Sequence, residues 1–116
     1  MKQKWIGVDF DHTLARGDLS PVDHMVIRVL HWLNKGIEVR IVTARVNDID
    51  HSIDEINENI EIITSFCLEY FGRPLAIQSC KSSGMIELWD DKVVPVVADK
   101  GTVRCLNLEG CFDYLK

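Results

Sequence analysis

Short apolar runs rich in β-branched residues alternate along this chain with stretches whose apolar residues recur every three to four positions, and that alternation leaves few folds open. Trp5-Ile6-Gly7-Val8 reads as a buried strand that ends at Asp9. Ser20-Pro21 offers a hydroxyl cap followed by a ring-fixed first turn, and Val22, Met25, Val26, Val29, Leu30 and Leu33 then follow at helical spacing until Asn34-Lys35-Gly36. Residues 37–42 resume as a second strand, closing on Thr43-Ala44-Arg45. A long helix is predicted from about Ser52 to about Tyr70, capped by Asp48 or Asp50, with Ile53, Ile56, Ile60, Ile63, Phe66, Cys67 and Tyr70 as its inward stripe. Gly72-Arg73-Pro74 ends it, residues 75–77 give a third strand, and residues 85–89 give a fourth that runs straight into Asp90-Asp91. Residues 93–97 and 102–106, joined across Asp99-Lys100-Gly101, predict a C-terminal β-hairpin, and residues 108–115 a short helix.

Strand, helix, strand, helix, strand is the order of an α/β fold: a three-layer, Rossmann-like arrangement around a mainly parallel sheet. With 116 residues, 1–116 is expected to be one domain, and a 47% hydrophobic fraction supplies a core without staples. The net charge of −5 argues against general nucleic-acid binding or an acidic membrane surface as partner. No apolar run reaches the roughly 20 residues of a membrane span, and no secretory leader precedes the first strand, so a cytoplasmic protein is expected. The cysteines at 67, 80, 105 and 111 have neither paired nor zinc-site spacing and read as reduced thiols.

In sheets of this type ligands bind at the carboxyl ends of the strands. Asp9, Asp11, Thr43, Lys81, Asp90 and Asp91 all follow or border strands. In extended backbone Asp9 and Asp11 point to the same side while Phe10 and His12 point to the other. If the fourth strand neighbours the first, up to four carboxylates converge. Carboxylates that close cannot all ionise unless a cation answers them. A hard, all-oxygen site suits Mg²⁺. An EF-hand does not fit, because a loop begun at Asp9 places Leu14 where the turn glycine belongs and Ser20 where the bidentate glutamate belongs.

The sequence resembles the haloacid dehalogenase (HAD) superfamily of phosphohydrolases in four motifs taken in order. These are Asp9-Phe10-Asp11-His12-Thr13 after an apolar strand, Thr43 at the end of the second strand, Lys81 before the fourth, and the Asp90-Asp91 pair after it. The stretch from Lys81 to Gly101 also looks like small HAD proteins of phages and prophages. The resemblance implies an aspartyl-phosphate mechanism on a phosphomonoester, with Asp9 as nucleophile and Asp11 as proton carrier. It implies that Thr43, Lys81 and the backbone at Ala44 hold the phosphoryl group. It also implies Mg²⁺ held by the Asp9 carboxylate, the Asp11 carbonyl and the acidic pair. Adjacent residues point apart, so one of Asp90 and Asp91 is expected to touch the ion, with Asp90 favoured.

Only about ten residues separate Asp9 from Ser20, which leaves a minimal cap or none and an open site. Such a site admits a phosphorylated small molecule, a nucleotide, a nucleic-acid end or a protein, or borrows a lid from an oligomeric partner. Two other functions share the motifs: a phosphate- and Mg²⁺-binding accessory protein of weak activity, and an aspartate-based phosphotransferase. Trp5, Trp32 and Trp89 read as packing residues, Arg16 and Arg45 as loop arginines beside the site, and the histidines carry no assigned role.

Overall fold

The computed structural model describes residues 3–104. The short helix expected over 108–115 and the last positions of the expected hairpin, 105 and 106, lie outside the described residues. Four strands, β1 (Trp5–Val8), β2 (Glu38–Val42), β3 (Ala76–Gln78) and β4 (Met85–Trp89), form one sheet in the order β3-β2-β1-β4. All three pairings are parallel, so the chain is a mixed α/β fold compatible with a Rossmann-like arrangement. β1 lies inside the sheet with β4 beside it, the neighbourhood that would bring Asp9 to Asp90.

Two helices make the parallel connections: α1 (Asp23–Asn34) joins β1 to β2, and α2 (Ile53–Phe71) joins β2 to β3. Both crossovers step in the same direction across the sheet, and right-handed connections therefore put both helices on one face. The packing agrees. Ile6, Val8, Val39 and Ile41, alternate residues of β1 and β2, join Met25 and Val29 of α1 and Ile63, Phe66 and Cys67 of α2 in one buried cluster.

The opposite face carries a different kind of layer. β3 and β4 stand at opposite edges, and residues 79–84 run back between them from the carboxyl end to the amino end. The indole N–H of Trp5 donates to the Ser83 carbonyl at 3.0 Å, and the Trp5 backbone N–H donates to Gly84 at 3.0 Å. Arg40 lies over the Trp5 ring at 4.5 Å while donating to Glu38 of its own strand. Where three layers were expected, the described residues place helices on one face only and an irregular segment on the other.

Several local expectations change. Ser20 does not cap α1: its hydroxyl turns back to Asp18 at 2.6 Å, Pro21 bridges to Ala15, and the helix starts after Val22 with no side-chain cap. α2 is capped by Ser52 rather than Asp48 or Asp50, in a reciprocal box with Glu55. Its inward stripe holds at Ile63, Phe66 and Cys67, whereas Ile53 and Ile60 are exposed, and α2 meets the turn after β2. Among the described residues the expected hairpin is one antiparallel bridge, Val96 to Val103, flanked by the Val97 N–H donating to Thr102 and the Arg104 N–H donating to Pro95, both at 2.8 Å.

Between Asp9 and α1 the chain forms a small flap rather than a domain. Ala15 bridges to both Asp11 and Pro21, the N–H groups of Leu14 and Ala15 donate to Phe10, and Val22 donates to Leu14. Leu14 and Ala15 are fully buried under it.

Candidate functional site

Each of the four parallel strands delivers its next residue to one cleft at the carboxyl edge: Asp9 after β1, Thr43 after β2, Ser79 after β3 and Asp90 after β4. The cleft has a volume of about 380 Å³, and Asp11, His12, Val42, Ala44, Asp91 and Lys92 complete its lining. The cleft spans the gap between β1 and β4, where the chain, after stepping outward through β2 and β3, returns to the other side of β1. Such reversal points form crevices because the connections leave in opposite directions.

Backbone bonds that continue the ladders fix the first side chains. The Asp9 N–H donates to Trp89 at 2.8 Å and the Thr43 N–H to Gln78 at 2.9 Å, so both residues are held in register one step past their strands. Thr43 is 3% exposed, and its hydroxyl oxygen accepts the Arg45 N–H at 3.2 Å, which leaves its own proton to be donated. Ala44 opens the 3-10 turn Ala44–Val46 at the cleft wall.

Asp9, Asp90 and Asp91 converge: one carboxylate oxygen of each lies within 4.8 Å of the other two. Burial and the neighbouring Asp90 and Asp91 carboxylates push the Asp9 pKa up to about 7. A divalent cation at this point would remove the conflict, and the all-oxygen donor set fits a hard ion such as Mg²⁺. Both members of the acidic pair join the cluster, as the expected convergence requires. The reason is the turn after β4: Asp90 accepts the Lys92 N–H at 2.9 Å, and Asp91 is drawn back by Thr13.

Asp11 does not join them. Its carboxylate accepts two bonds from Arg45, Nε to Oδ2 and Nη2 to Oδ1, both at 2.8 Å, and the guanidinium holds it below the usual carboxylate range. The convergence of four carboxylates expected from alternation is a convergence of three. Alternation stops at His12, whose φ of 63° turns the chain and brings it into the cleft lining, although extended geometry would have sent it away.

The two lysines also sort differently. Lys81 is exposed on the segment that leaves the cleft and is outside its lining, while Lys92, directly after the acidic pair, is within it. Sequence reasoning missed Lys92 and Ser79, and it quoted Thr13 in the first motif without giving it a role. The position of Lys92 beside Asp90-Asp91 was the available signal for the first. Thr13, 8% exposed, sits under the cluster within 3.5 Å of Asp9 Oδ2. Arg45, read as a loop arginine, is tied to Asp11 and to Asn59 of α2.

Searches against protein-family models, curated proteins and solved structures find no match to this chain. The site therefore has to be read from its own geometry.

Proposed function

We propose that this chain is a Mg²⁺-dependent phosphohydrolase of the HAD type, acting on a phosphomonoester through an aspartyl-phosphate on Asp9. The observation that carries the reading is the convergence of Asp9, Asp90 and Asp91 at the strand-order reversal, facing the Thr43 hydroxyl across one cleft.

The carboxylate of Asp9 attacks phosphorus, the bond to the ester oxygen breaks, and the phosphoryl group is left on Asp9. Asp11 gives a proton to the leaving oxygen and then takes one from water as that water bonds to phosphorus, the bond to Asp9 breaks, and phosphate leaves with the Asp9 carboxylate restored. Thr43 donates its hydroxyl proton to a phosphoryl oxygen, assisted by the backbone N–H at Ala44. A lysine offsets the phosphoryl charge: Lys81 by the family resemblance, with Lys92 closer to the cleft. Asp9, Asp90 and Asp91, with the Asp11 carbonyl by the family resemblance, would hold Mg²⁺, whose positive charge would let Asp9 ionise beside its neighbours and screen the anionic substrate. The open flap leaves room for a bulky phosphorylated group.

The test is phosphate release from an aryl phosphate with Mg²⁺ and with chelator, beside Asp9→Asn. Turnover that needs both the metal and Asp9 supports the reading. Its absence there and across a broad panel of phosphorylated metabolites would return the chain to a binding role.

A further inference from the structure

A second hollow, larger than the carboxylate cleft, opens between the flap and α2 with a volume of about 560 Å³. No step of the hydrolysis uses it. Its floor is apolar: Phe10 and Phe66 meet edge to face at 5.3 Å, and Ile62 lines the groove with them. Leu19 of the flap lines it from the other side. That residue is 39% exposed, and its φ of 68° is a conformation that bulky side chains rarely hold. The flap thus keeps an apolar side chain in water, on unfavourable backbone, beside an apolar groove.

The rim supplied by α2 is acidic. Glu58, Glu61 and Glu69 line the groove at helical spacing, with Ser65 between the last two. Residues 53–71 contain no Lys, Arg or His. The ion pairs among the described residues are Arg40 with Glu38 and Arg45 with Asp11, so no described cation answers these three glutamates. Unanswered negative charge beside an apolar floor repels nucleic acid and anionic lipid and favours a cationic amphipathic ligand. From Glu58 to Glu69 the rim runs roughly 16 Å at the helical rise. That length exceeds a small ammonium ion and suits a segment of peptide. We propose that this groove docks a partner protein through a basic amphipathic segment. Its apolar side chains enter between Leu19 and α2, and its Lys or Arg residues meet Glu58, Glu61 and Glu69. The inference goes beyond the phosphohydrolase reading and does not depend on it.

The experiment selects binders to the full chain from a displayed library of random peptides and measures the enriched peptides by fluorescence anisotropy. The proteins are the wild type, the triple variant Glu58→Gln/Glu61→Gln/Glu69→Gln, Leu19→Asn, and a control triple away from the groove, Asp23→Asn/Asp48→Asn/Asp54→Asn. Enriched peptides are expected to carry apolar residues flanked by Lys or Arg. Their affinity falls at least about tenfold in the glutamate triple and loses most of its dependence on salt, as rim charges do. Leu19→Asn, a residue that accepts positive φ, weakens binding about tenfold, as loss of an apolar anchor does. The control triple, with the same change in net charge, leaves affinity unchanged. The three glutamates are exposed, so their removal tests the groove even where Leu19→Asn does not fold. No enriched peptide, enriched peptides without basic residues, or equal loss in the two triples overturns the proposal. Hexylammonium binding as tightly as the peptides also overturns it, and assigns the groove to a small amphipathic cation.

Discussion

The hydroxyl oxygen of Thr13 accepts the backbone N–H of Asp91 at 3.1 Å and stands 3.4 Å from the Asp91 carboxylate, tying the flap after β1 to the turn after β4. Its proton reaches either Asp91 Oδ1 or, at 3.5 Å, Asp9 Oδ2. Thr13→Val keeps the shape and removes the bridge. The Asp91 N–H then loses its acceptor and, Asp91 being exposed, turns to water, at a cost of about 0.5–1.5 kcal/mol. Divalent-cation affinity falls about tenfold, as for other residues that orient metal-binding side chains. Urea unfolding and a metal titration measure the two effects; a variant with wild-type affinity would show that Asp91 needs no such support.

Asp9 makes the metal-free protein pH-sensitive in an unusual direction. Its pKa rises from an ordinary 3.8 to about 7 in the fold, so between those values the folded state binds more protons than the unfolded chain. Stability contributed by protonated Asp9 is present below about 4 and is lost as pH rises through about 7. Asp11, lowered by Arg45, acts in the opposite sense, its contribution present above 3.8 and lost as pH falls through its lowered value. Thermal melts in chelator should therefore decline from pH 4 to above pH 7, flatten when Mg²⁺ is added, and lose the decline in Asp9→Asn. A decline that survives in Asp9→Asn would assign it to another group.

Lys81 and Lys92 give separable outcomes. Lys92 lines the cleft, and Lys92→Ala is expected to raise KM for a phosphomonoester about tenfold, the loss of one charge-assisted contact. Lys81→Ala is expected to lower kcat if that lysine takes the role implied by the family resemblance, by about 10²-fold for a group stabilising transition-state charge. Steady-state kinetics on both variants decides it. Wild-type kcat in Lys81→Ala leaves the charge offset to Lys92.

Gly84 fixes the return of the chain to β4. Its φ of +93° is unfavourable for any side chain, and a Cβ there would collide with the Gln3 carbonyl oxygen. Gly84→Ala should destabilise the protein by about 1–3 kcal/mol, the cost of such strained backbone, or more if the collision cannot relax. Denaturant unfolding checks this. A change below about 0.5 kcal/mol, the usual range of surface substitutions, would mean the segment carries no strain.

What the sequence made legible divides along a physical line. The strands at Trp5–Val8 and Met85–Trp89 and the spans of both helices follow from local apolar period and are observed within a residue or two at most ends. The gathering of Asp9, Asp90 and Asp91 was readable because each follows a strand. The Arg45–Asp11 fork and the bridge from Thr13 depend on contacts between segments far apart in the chain, which no local pattern encodes, whereas the turn at His12 is local, its N–H donating to Ala15. The two capping errors have one cause: Ser20, Asp48 and Asp50 are all good cap residues, and which one caps is decided by where the chain must turn, as the Asp18 and Asn47 side-chain bonds show.

The pairing of β1 with β4 has a consequence for how the molecule forms. β1–β2 and β2–β3 contacts close over one helix each, whereas Trp5 must find Met85 across nearly the whole described chain. Closing so long a loop costs more entropy than closing the shorter ones, so the local βα units are expected to form first and β4 to dock late. Asp90 and Asp91 travel with β4. The acidic cluster is then created by the final docking step, and a chain caught before it would hold nearly all of its helix and no place to gather a cation. A cation held by the three carboxylates would act on that step alone, favouring the last closure of the sheet.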